Sequence, residues 1–265
     1  MQFDMLNIIK EKKEKELTEF LKEYGKFTLL SESAQFLDKR AYLTINILGE
    51  LKRKRGNLTL PIFAYLNDND IFIQEIFNSC DIREKQNFDK IERFSSLDLE
   101  KVKFNFIKTL FNGNIEFSKK YGKELFLRDR ETFFKIVSNF SLIGESNNLK
   151  PLMVLSLKKL MTDYNENIFS LFISYITKYR DNTSIYENVK ECSMEIYELK
   201  CLIKNNKELL NSIEGLGMIS SLTLLENISV DNKAKALGKI KFEIENLQNF
   251  TPLNEREEKL LELFL

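Results

Sequence analysis

Met5-Leu6-Asn7-Ile8-Ile9-Lys10-Glu11-Lys12-Lys13-Glu14-Lys15-Glu16-Leu17-Thr18-Glu19-Phe20-Leu21-Lys22-Glu23-Tyr24-Gly25 carries the periodicity from which the rest of the chain can be read. Met5, Ile8, Ile9, Leu17, Phe20, Leu21 and Tyr24 recur at helical spacing and form one apolar stripe. The run 10–16 alternates in sign, which pairs opposite charges about four residues apart on a solvent face. Gly25 then ends the pattern as a helix end does. The expectation is an amphipathic helix closed at Gly25.

The same spacing continues outward. It predicts a helix over 31–55, followed by Gly56, and further helices at 58–66, 69–79, 83–95, 97–111, 115–126, 130–143, 149–162, 166–180, 184–205, 207–226, 231–247 and 252–264. Only 9 Gly and 3 Pro interrupt the chain. Between the periodic runs lie Asn, Asp, Ser, Thr and Gly, the residues that cap helices and make turns. Thr251-Pro252 reads as an N-cap followed by the first helical position. Strands find little support. The fold class is therefore all-α: stacked antiparallel helices, as a helical bundle or a short helical-repeat, α-solenoid-like array.

Glu19-Phe20-Leu21-Lys22-Glu23-Tyr24-Gly25-Lys26 is similar to Glu116-Phe117-Ser118-Lys119-Lys120-Tyr121-Gly122-Lys123 at an offset of 97 (116 − 19), and Ile71-Phe72 falls on Ile168-Phe169 at the same offset. This suggests three helical units at 1–96, 97–182 and 183–265, the second a duplication of the first or only a set of similar helix ends. Neither the Trp-Leu-Gly-Tyr pattern of tetratricopeptide repeats nor the Thr-Pro-Leu-His of ankyrin repeats occurs.

The 265 residues are enough to bury a full core, and 43% hydrophobic with 12% aromatic residues describe a folded chain. The 40 basic and 40 acidic side chains cancel, so no global surplus of positive charge points to nucleic acid. Cys80, Cys192 and Cys201 are odd in number and lack CxxC spacing, which argues against a disulfide framework and for a reducing, cytoplasmic location. The order apolar-then-charged at the start is the reverse of a secretory signal, and the longest apolar stretch, near 168–176, is too short to span a membrane.

The absence of histidine removes more chemistry than any other feature. Ser-His-Asp and Cys-His catalysis, HExxH zinc sites and Glu-x-x-His di-iron sites all require imidazole. Gly25-Lys26, Gly122-Lys123 and Gly238-Lys239 are not followed by Ser or Thr, so no Walker A loop is present, and Gly215-Leu216-Gly217 lacks the third glycine of a dinucleotide loop. No cofactor is expected. Carboxylates with magnesium remain open, with Glu50-Leu51-Lys52 and Glu198-Leu199-Lys200 as chance-level matches to a metal-dependent nuclease triplet.

Lys52, Arg53, Lys54 and Arg55 form the densest basic cluster. They read either as phosphate contacts or as the solvated carboxyl end of a helix, where cations favour the negative dipole. Tyr24 with Lys26, and Tyr121 with Lys123, are the other candidate binding residues. By subtraction, the expected function is that of a non-enzymatic adaptor, inhibitor or immunity-type protein offering a helical surface to another protein. Nucleic-acid association through the basic cluster, and less so a magnesium-dependent hydrolase, are the alternatives.

Overall fold

A computed structural model describes residues 4–37, 43–45, 51–53, 60–80, 94–179 and 181–265. The expected helix at 83–95 falls largely outside these residues. The protein is all-α, with one small antiparallel hairpin among the described residues. It divides into two compact units, Met1–Arg93 with Lys159–Ser174, and Phe94–Lys158 with Tyr175–Leu265.

The first unit holds α1 (Met5–Lys10), α2 (Glu14–Ala34), β1 (Leu43–Ile45), β2 (Leu51–Arg53), α3 (Leu60–Tyr65) and α4 (Asn69–Ser79). The single helix expected over 5–24 is broken at Lys12, whose φ is 51°. Lys10–Lys13 carry no apolar side chain, and the break lets Met5, Ile8 and Ile9 on α1 join Leu17, Phe20 and Leu21 on α2 in one core. Gly25, at φ 79° and ψ 170°, interrupts α2 with a conformation open to glycine, and the helix then resumes to Ala34. Of the helix expected over 31–55, the described residues hold a helical stretch only to Ala34, and 43–45 and 51–53 are strands. Leu43, Thr44 and Ile45 pair with Arg53, Lys52 and Leu51, because Leu43 and Ile45 also satisfy a period of two and the β-branched Thr44 and Ile45 favour extended backbone.

α4 and α9 (Glu166–Lys178) begin in the same way. Asp68 accepts from the amides of Asp70 and Ile71 at 3.1 Å each, and Asn165, 97 positions on (165 − 68), accepts from those of Asn167 and Ile168 at 3.1 Å each. The other half of the match differs: Gly25 breaks its helix, whereas Gly122 is buried inside α6 (Ile115–Arg128).

The second unit begins with the hairpin of α5 (Leu99–Phe111) and α6, closed by Asn112-Gly113-Asn114. Asp98 caps α5 by accepting from the Lys101 amide at 2.8 Å, and Asn114 caps α6. Val102, Phe106 and Leu110 face inward. Phe106 stacks on Phe133 of α7 (Arg130–Ile143) at 5.6 Å, and Phe126 meets Phe133 edge-on at 5.3 Å. Each buried ring of this kind contributes about 1.5–3 kcal/mol by removal from water. The buried Glu124 ties the entry to α5 by accepting from the Ser95 amide and hydroxyl and from Arg128.

A 3₁₀ turn, Ser146–Asn148, leads into α8 (Lys150–Leu160), and α8 and α9 contribute to both units. The helix expected over 184–205 is instead α10 (Ser184–Asn188) and α11 (Ile196–Asn205). Between them the chain runs extended against α14 (Lys233–Asn246), with the Cys192 amide donating to Ala234 O at 3.0 Å, so a tertiary bond replaces a helical one. The helix expected over 207–226 is likewise split into α12 (Lys207–Leu210) and α13 (Ile213–Asn227) by Ser212, which caps α13. α13 is buried nearly all round and packs on the 3₁₀ turn. There Gly217 is required by proximity, since a Cβ would come within 1.9 Å of Ser146 O.

Thr251-Pro252 does not start the last helix. Buried Glu214 accepts from both the amide and hydroxyl of Thr251, and Thr251 O accepts from Ile213 N, so α15 (Glu255–Glu262) begins at Asn254, in a capping box with Glu257. Among the described residues, no helix is long and apolar enough to cross a membrane.

Candidate functional site

The described candidate binding residues lie on α2, β2 and α6. Lys26 is half-buried, its ammonium donates to Leu66 O at the carboxyl end of α3, and it lies 5.9 Å from the Phe72 ring centre. Burial, with the nearby Lys159 charge, lowers its pKa. It serves as a helix C-cap within its unit. Tyr24 is exposed and tilts against Phe20 at 4.7 Å, and Glu23 beside its hydroxyl raises its pKa. Tyr121 stacks on Phe117 at 6.3 Å, and Lys123 is half-buried on the same helix. Each Tyr/Lys pair belongs to its own unit.

Lys52 and Arg53 lie on β2, opposite Thr44 and Leu43, and not at a helix carboxyl end as the dipole reading required. Lys54, Arg55 and Glu50 lie outside the described residues. Glu198 is taken up in the capping box of α11, and Lys200 pairs with Glu226 at 2.7 Å.

Two features that the sequence did not single out dominate the second unit. The first is a buried polar node around the turn at 144–150. Ser146 donates to Glu243 Oε2 at 2.7 Å, and Lys239 donates to the same oxygen at 3.1 Å and to Ser146 Oγ at 3.4 Å. On the other side of the turn, Asp181 accepts from Asn148 Nδ2 and from Lys150 Nζ, while the Tyr175 hydroxyl donates to Asn148 O at 2.5 Å. Lys150, only 1% exposed, also lies 4.7 Å from the Phe140 ring centre. Leu149 between them holds φ 51°, a conformation that costs a non-glycine residue on the order of 1 kcal/mol and persists where its surroundings overdetermine it.

Ser146, Lys239 and Glu243 carry the residue types of a base-assisted serine nucleophile. Their burial and their mutual bonds leave the hydroxyl no approach for a substrate. The arrangement is a lock that fixes the turn, with each buried charge paired.

The second feature is the outer face of α5. Phe104, Ile107 and Phe111 are 66%, 39% and 55% exposed, and their spacing of three and four residues puts them on one line along the helix. That line is opposed to the buried Val102, Phe106 and Leu110, so α5 carries two apolar faces and uses one for its own core. Lys101 and Lys103 beside it are held by Asp98 and Glu100 at 3.4 and 2.8 Å. No family model, curated protein or solved structure matches the chain.

Proposed function

We propose that the chain is a non-enzymatic binding protein, of adaptor, inhibitor or immunity type, that presents the outer face of α5 to a protein partner. The observation that carries this reading is the line Phe104, Ile107 and Phe111 left in water on a helix already anchored by its other face. Large apolar side chains at i, i+3 and i+7 are the pattern by which one helix docks into a groove or onto another helix. Leaving two Phe rings in water is unfavourable by about 25 cal/mol per Å² of apolar area, a deficit that a partner removes.

The test uses the whole chain as bait in extract of its native cells, side by side with Phe104→Asp, with quantitative mass spectrometry of what each retains. A specific protein retained by the wild type and lost by Phe104→Asp, while the thermal melts of the two baits superimpose, supports the α5 face. Retention unaffected by the substitution would overturn it.

A further inference from the structure

A cavity of about 110 Å³ lies in the second unit where the carboxyl ends of α5, α7 and α9 meet the polar node. Leu110, Phe111, Phe140 and Ile143 form its apolar wall, and Phe111 and Phe140 meet edge-on at 5.1 Å. Lys150 and Asp181 contribute one charge of each sign to the opposite wall and are bonded to each other, so the lining carries no net charge from them. Thr183 also lines it, with its hydroxyl donating to Glu187 at 2.6 Å. Thr177 differs from these. It lines the cavity, is 2% exposed, and its Oγ1 has no hydrogen-bond partner among the described residues.

A buried hydroxyl without a partner is unfavourable, and this one stands next to space that can hold one. A single water needs only about 10–15 Å³ of such space, so the cavity is several times larger than the hydroxyl requires for hydration. Water could hydrate the polar wall, but the molecules beyond it would lie against Leu110, Phe111, Phe140 and Ile143, whose side chains offer no hydrogen bond. A cation would meet the Lys150 ammonium, and an anion would meet Asp181 and the negative faces of the rings. A neutral ring with one hydroxyl meets the apolar wall with its carbons and Thr177 with its oxygen, while Gly144 and Tyr179 complete the lining.

We infer that this cavity binds a monocyclic phenol, its ring against Phe111 and Phe140 and its hydroxyl bonded to Thr177. Cavities of about 150 Å³ admit benzene, and the exposed Phe111 at the rim allows a ring slightly larger than the enclosed space to enter. The same chemistry is offered by a free phenol and by a tyrosine side chain. The inference does not depend on the α5 partner.

The test is amide NMR of the full chain titrated with phenol, benzene, acetate and methylammonium. Phenol is expected to shift the Phe111, Gly144 and Thr177 resonances with a Kd in the millimolar range. Thr177→Val, which loses no stability because it removes an unpaired buried hydroxyl, should weaken phenol about fivefold and leave benzene unchanged. Ile143→Phe, which fills the cavity from its half-exposed wall, should abolish both. N-acetyltyrosinamide discriminates the source: binding equal to phenol supports a tyrosine side chain, and its exclusion while phenol binds supports a free ligand. The inference is overturned if phenol shifts none of these resonances, if Thr177→Val and Ile143→Phe bind it as the wild type does, or if acetate or methylammonium binds more tightly than phenol.

Discussion

At the turn 144–150 two lysines and two carboxylates lie inside the second unit, while on the outer face of α5, in the same unit, two Phe rings and an Ile lie in water. Both regions break the rule that sorts polar from apolar, and they break it with opposite consequences. Each of these four buried charges finds its counterpart within the unit, so the node accounts for itself as architecture. The α5 face has no such closure among the described residues, and that is the ground on which a partner is proposed for it. An inverted region that is satisfied internally speaks of folding; one left unsatisfied speaks of binding.

The largest effect expected from breaking this contrast is at Asp181. Asp181→Ala leaves the Lys150 ammonium buried without its carboxylate and removes the acceptor of Asn148, which should cost about 3–5 kcal/mol. Urea unfolding measures it. Replacing the pair together, Lys150→Met with Asp181→Leu, should recover most of that loss, because the cost lies in the abandoned charge. If Asp181→Ala unfolds at the wild-type urea midpoint, the node is not a lock.

A smaller effect is expected at Asp129, which caps α7, the helix ahead of the turn, by accepting from the Thr132 amide at 3.0 Å. The Thr132 hydroxyl and amide hold its pKa below the ordinary carboxylate value. Its contribution is therefore present above the unfolded-state pKa, about 3.9, and is lost as pH falls through the lower folded-state value. Asp129→Ala should lose about 1 kcal/mol at pH 7 and converge with the wild type in strong acid. Thermal melts across that range read the convergence. A difference that stays constant down to the lowest pH would mean the cap does not act through its charge.

How far these regions were legible in the sequence follows from where their causes lie. α4 and α7 have the expected bounds, 69–79 and 130–143, because what sets them is local: the periodic Phe and Ile residues, and the caps that the structure shows at Asp68 and Asp129. The breaks at 189–195 and at Ser212 were not, because distant partners impose them: Ala234 O takes the Cys192 amide, and Thr251 O takes that of Ile213. The hairpin was missed because Leu43 and Ile45 fit periods of both two and 3.6. The node joins residues as far apart as Ser146 and Glu243, and charged side chains on a helical pattern look like surface until their partners are known. The α5 face did leave a signal. Leu99, Val102, Phe104, Phe106, Ile107, Leu110 and Phe111 are too many apolar residues for one side of a 13-residue helix, so a second face was required. Helical spacing alone does not tell the exposed Phe104 and Phe111 from the buried Phe106.

The smallest stability change is expected at Phe104, and its smallness is what gives it value. Phe104 and Phe106 are the same residue type, two positions apart on one helix, one in water and one fully buried. Truncating Phe106 to Ala removes a ring from the Phe133 stack and should cost about 3–5 kcal/mol. Phe104→Asp touches no core and should change unfolding by less than about 0.5 kcal/mol. It should also lower the fluorescence of bis-ANS bound to the native chain, since it removes the first ring of the apolar line Phe104, Ile107 and Phe111. If Phe104→Asp destabilises the chain as Phe106→Ala does, the outer face is part of the core and the case for an external partner collapses. If it leaves stability untouched and dye binding falls, the ring contributes nothing to folding, which is the outcome the proposed docking face requires.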